Sequence, residues 1–186
     1  MLTYFLQIQE EFSVLQQLFF DRVDLYDNAD ATPTLTLSEL ERHKWVHFAC
    51  HGGLDSERPF ESYFKLYDGN LSLRQIMRAK LPDAEFAFLA ACHTTRSDVE
   101  GNPDESLSLA AAVQFCGFRS IVGTLWAMSD NDGPALARDF YGYMLRNGPQ
   151  HVDIRDSAVA LHRAVEAMRQ RGVPAERWTT FVHVGI

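Results

Sequence analysis

Two residues stand where chemistry is readily done. His51 closes the apolar run Trp45-Val46-His47-Phe48-Ala49, and Cys92 closes the apolar run Phe86 to Ala91. A cysteine nucleophile needs a nearby base, because the thiolate rather than the thiol attacks a carbonyl. Gly52-Gly53 follows the histidine and would let backbone amides approach a substrate closely. The amides of Gly52 and Cys92 are the expected donors to a developing oxyanion, worth roughly 3 kcal/mol each in comparable sites.

The neighbouring histidines and cysteines read differently. His47 shares side-chain parity with His51 but lies inside its strand, which predicts a buried structural or supporting group. His93 follows Cys92 directly, and successive strand residues face opposite ways, so it is a poor base for that thiol. Cys50 and Cys116 read as small buried hydrophobes. Together His47, Cys50, His51, Cys92 and His93 could supply part of a zinc site, yet no second pair with finger-like spacing exists. The reading therefore takes no metal and no cofactor.

The elements that must position this pair follow from hydrophobic spacing. Phe12, Leu15, Leu18 and Phe19 share one helical face over residues 10–20, and Leu35 to Glu41 suits a short helix. Residues 45–49 read as a buried strand. The segments SYFKLY and NLSL flank Asp68-Gly69 as a small hairpin. Ser72 is placed to cap a helix running to about Lys80, which Pro82-Asp83 breaks. After the strand ending at Cys92, a polar loop leads to a helix over 105–116, with Gly117 as its terminator. A third strand is expected over 118–126 and helices over about 133–146 and 156–171. A last strand is expected over 178–184. Strands alternating with helices, and apolar throughout, predict an α/β fold whose mostly parallel sheet is covered by helices on both faces. Right-handed crossovers then set successive strands side by side. Both His51 and Cys92 fall at the carboxyl edge, where open parallel sheets bind ligands.

Composition bounds the rest. At 186 residues and 46% hydrophobic, the chain fits one packed domain. A formal net charge of -8 argues against a nucleic-acid surface. Three cysteines are too few for a disulfide framework, and no apolar stretch reaches the length of a membrane span. A cytoplasmic location is the default expectation.

Four stretches of sequence carry a resemblance. WVHFACHGG at 45–53, AFLAACHTT at 87–95, DESLSLAAAVQFCGFRSIVGTLWAMSDND at 104–132 and WTTFVHVG at 178–185 resemble, in order and spacing, the CHAT domain family of caspase-like peptidases. The family is often associated with tetratricopeptide repeats. The resemblance covers roughly residues 10–186 and implies a cysteine endopeptidase acting on a protein or peptide, with His51 and Cys92 as its dyad. Family members usually carry further sequence before residue 10, including an edge strand, and no repeats are present here. The resemblance thus implies a single domain over 1–186, uncertain in its first nine residues and lacking its N-terminal strand or strands. A regulatory repeat domain or partner would lie elsewhere. A shortened member could instead be a catalytically silent interaction or signalling domain.

In that frame Trp126 to Asp132, after the third strand, is the expected wall of the pocket for the residue before the scissile bond. Trp126 and Asp130 are its candidate residues, and a free Asp130 would favour Lys or Arg in the substrate. Arg58, Arg96 and Arg119 keep the acidic preference open. The competing reading is that Asp130, Asn131 or Asp132 caps the next helix.

Overall fold

The computed structural model describes residues 2–5, 9–19, 23–55, 57–79, 81–90, 92–93, 109–126, 128–129 and 131–186. In chain order the elements are β1 (Leu2–Phe5), α1 (Gln9–Phe19), β2 (Asp24–Asp27), α2 (Pro33–Leu40), β3 (Trp45–Ala49) and β4 (His51–Gly53). There follow β5 (Tyr63–Lys65), β6 (Asn70–Ser72), α3 (Leu73–Arg78), β7 (Phe86–Leu89), β8 (Cys92–His93) and α4 (Leu109–Gln114). The chain closes with β9 (Ser120–Thr124), α5 (Gly133–Met144), α6 (Ser157–Gln170), α7 (Ala175–Trp178) and β10 (Phe181–Gly185).

Six strands form the main sheet in the order β10-β9-β7-β3-β1-β2. All its neighbours run parallel except β10, which returns antiparallel to β9. The three strands expected from apolar runs, β3, β7 and β9, do lie side by side. Two strands were not expected. Residues 2–5 and 24–27 extend the parallel sheet beyond β3. Asp24 and Asp27 bracket the edge strand, and charge at an edge discourages pairing with another chain.

Alternation along the strands divides the core into two layers. Val46, Phe48, Ala87, Leu89 and Ile121 pack with Leu40 of α2, Leu73 and Ile76 of α3 and Val113 of α4. Trp45, Ala49, Phe86, Phe88 and Val122 pack with Leu15 of α1, Phe140 and Tyr141 of α5 and Leu161 of α6. The helix starts use local chemistry. Ser72 and Gln75 make a reciprocal capping box, and Thr32 accepts from the Leu35 amide. Gly117 takes φ 111° after α4, a conformation that a side chain would oppose.

Asp132, one of three expected helix caps, occupies the capping position of α5 but makes no side-chain cap hydrogen bond. Its carboxylate is taken by Arg177 at 2.9 and 2.6 Å. The expected strand start at Trp178 is instead the end of the short helix α7, and the strand begins at Phe181. No helix among the described residues is long and apolar enough to cross a membrane.

Candidate active site

The main sheet delivers two strands past its carboxyl edge. β3 bends at Cys50 and resumes as β4; β7 ends at Leu89, and the chain resumes as β8. These continuations belong to a second, smaller sheet in the order β6-β5-β4-β8. The register does not slip on the way. Trp45 pairs Phe86 and Phe48 pairs Leu89 in the large sheet, and His51 pairs Cys92 in the small one. Neighbouring strands lie about 4.8 Å apart. The two expected dyad residues therefore stand opposite each other across one strand spacing on a parallel ladder.

His51 is half-buried, and its Nδ1 is buried with no hydrogen-bond partner among the described residues. An unsatisfied buried polar atom calls for an explanation, and a reactive role is one. Gly52 is buried and pairs Phe64 on one side and His93 on the other. A Cβ at Gly53 would run into the Tyr63 ring, so a side chain there requires that ring to move.

His47 is fully buried beneath this edge. Its ring stacks on Phe88 at 4.6 Å, with Nδ1 3.1 Å from the Tyr141 hydroxyl and Nε2 2.9 Å from Glu11 Oε1. The Glu11 contact is close enough for an ion pair but is not aligned as a hydrogen bond. Burial, and then the charge of Glu11, hold the Tyr141 hydroxyl well above its ordinary pKa. Sequence parity assigned His47 to the interior; nothing in the spacing revealed Glu11 as its neighbour.

Cys50 and Cys116 are buried thiols. Burial pushes the Cys116 thiol up to about 12, so it stays un-ionised near neutrality. No group of three or more His, Cys, Asp or Glu side chains placed to hold a metal ion occurs among the described residues.

The chain leaving β9, which flanks β7 on the side away from β3, carries Leu125 and Trp126, both exposed. The Leu125 amide donates to the Thr180 carbonyl at 2.9 Å, the Trp126 amide to Thr180 Oγ1 at 3.2 Å, and Trp126 Nε1 to the Glu176 carbonyl at 3.2 Å. Asp130 lies outside the described residues, as does Arg96. Arg58 is occupied by Asp55 at 3.0 Å.

A largely parallel sheet between two helical layers, with a small sheet at its carboxyl edge, is the caspase-like α/β fold. The CHAT domain matches residues 5–186, and the chain belongs to that family. Among solved structures it is similar to the crystal structure of the Arg-specific cysteine proteinase gingipain R, with a TM-score of 0.66 at 13% identity. That likeness covers 99% of this chain and 45% of the proteinase chain. No curated protein matches in sequence.

Proposed function

We propose that the chain is a cysteine endopeptidase of the caspase-like clan, with Cys92 as nucleophile and His51 as general base and acid. The observation that carries this is the unbroken register setting His51 opposite Cys92. The Nδ1 of His51, buried and without a partner among the described residues, adds to it.

In this mechanism the Cys92 sulfur, its proton passed to His51, attacks the scissile carbonyl. The carbonyl electrons move to an oxyanion held by the amides of Gly52 and Cys92. As the C–N bond breaks, His51 returns its proton to the leaving amine, and a thioester remains on Cys92. His51 then takes a proton from water, whose oxygen attacks the thioester. The C–S bond breaks, releasing the carboxylic acid and restoring the thiol.

Trp126, exposed where the chain leaves β9, is the proposed wall for the residue before the scissile bond. Asp130 is the proposed selector of a Lys or Arg there; the similar gingipain R is described as Arg specific. Peptides with Arg or Lys at that position should be cut faster than peptides with Asp, and Asp130→Ala should erase the difference.

The dyad itself is tested by substitution. Cys92→Ala is expected to abolish cleavage, and His51→Ala to lower it about 10³-fold or more, with both proteins still folded. A folded wild type that cuts no member of a peptide library, and whose Cys92 escapes a thiol-reactive activity probe, would point to a silent interaction domain instead.

A further inference from the structure

Register across the small sheet extends beyond the dyad to a cation. His51 pairs Cys92 on one side and Lys65 on the other, and Lys65 in turn pairs Asn70. Residues directly opposite on neighbouring strands share a face of the sheet, so His51 and Lys65 lie on one face, with Cys92 in register with His51 on the strand beyond. The face is open at Lys65. Along β5, Phe64 is buried and stacks on Phe48 at 4.2 Å, while Tyr63 is half-buried and Lys65 exposed. Lys65 lies on an inner strand, where lysine is an unfavoured choice. Among the described residues the Lys65 ammonium has no ion pair or hydrogen bond.

Substrate direction follows from the chemistry. The general acid must reach the leaving nitrogen, so the departing half of the peptide passes over His51. The retained half lies on the opposite flank, towards Trp126. Lys65 is thus two strand spacings from Cys92, about 10 Å, on the departing side. An extended peptide advances about 3.4 Å per residue, which brings the second and third residues after the scissile bond within reach of a lysine side chain.

We propose that Lys65 selects an acidic side chain at the second or third position after the scissile bond. This rests on the endopeptidase reading above. The attraction is solvent-exposed, so its expected size is about fivefold in cleavage rate, and it weakens as salt is added.

The test uses internally quenched peptides that share one sequence before the scissile bond and carry Glu, Gln or Lys at each of the first three positions after it. Wild type is expected to cut the Glu peptides about fivefold faster than the Gln peptides at the second or third position, with the ratio shrinking at high salt. Lys65→Gln should bring that ratio to about one, and Lys65→Glu should favour the Lys peptides. Thermal melting confirms that each variant is folded, and the ratio within each variant cancels differences in active fraction. Cleavage by wild type with a Glu to Gln ratio that Lys65→Glu leaves unmoved overturns the role of Lys65 and spares the peptidase reading. Absence of cleavage for every peptide overturns the peptidase reading and this inference with it.

Discussion

Asp132 and Arg177 tie the start of α5 to the segment before β10 through paired hydrogen bonds of 2.9 and 2.6 Å. Asp132 is 5% exposed, so its charge is largely withdrawn from water and depends on that partner. Between these anchors, Leu125 and Trp126 hang on Thr180 and Glu176. The proposed substrate wall is thereby fixed from the carboxyl end of the chain rather than by its own loop.

Arg177→Gln should loosen that wall without melting the sheet. Amide hydrogen exchange is expected to speed up at Leu125 and Trp126, while Ile121 to Gly123 in β9 keep their protection. Unchanged exchange at Leu125 and Trp126 would show that the Thr180 bonds hold the wall unaided.

The three cysteines should differ sharply toward a small alkylating agent. The Cys116 thiol, at about 12, is roughly one part in 10⁴ thiolate at pH 8. Cys50 is closed in by the core. Brief treatment of the native protein, read by peptide mass spectrometry, should therefore place the label on Cys92. His51→Ala should slow it, because the base that would favour the thiolate is gone. Label arriving equally fast at Cys116 would contradict the burial that sets its pKa.

The pairing of His51 with Cys92 was legible because it is written in spacing. Trp45 to His51 and Phe86 to Cys92 are the same distance along the chain, and β3 and β7 pair in register from their first residues. Two apolar runs laid side by side could hardly miss bringing their polar ends together. β1 and β2 were not legible. Four residues are too few to show a period, and Asp24 and Asp27 give β2 the composition of a turn. Glu11 escaped notice because an acidic residue on an amphipathic helix normally faces water. Asp132 resembled a cap because its position is a cap position; only the fold brings Arg177 to compete for its carboxylate. Lys65 drew no attention because its pairing with His51 is set by a neighbouring strand.

The Glu11–His47 contact yields a coupling prediction. His47→Leu leaves a carboxylate buried at 0% exposure with its imidazole neighbour gone, and should cost about 3–5 kcal/mol in chemical denaturation. Adding Glu11→Leu removes the stranded group, so the double variant should be more stable than His47→Leu alone. A double variant no better than the sum of two separate losses would mean that the two residues act independently.

His183 gives the chain a pH dependence whose sign can be worked out. Its Nε2 lies 2.9 Å from Ser120 Oγ and 3.0 Å from Ser157 Oγ, joining β10 to β9 and to the start of α6. Burial lowers its pKa below the ordinary 6.5. Above about pH 6.5 the imidazole is neutral in both the folded and the unfolded chain, and its contribution is fully present. As pH falls below that value, the unfolded chain binds a proton that the folded chain resists, so stability declines until the folded pKa is passed. His183→Asn removes the titrating group from both states. The melting-temperature advantage of wild type over this variant should therefore be largest near pH 7.5 and shrink toward pH 5. An advantage that instead grows on acidification would mean that folding raises the His183 pKa, with the serine oxygens stabilising the imidazolium more than burial opposes it.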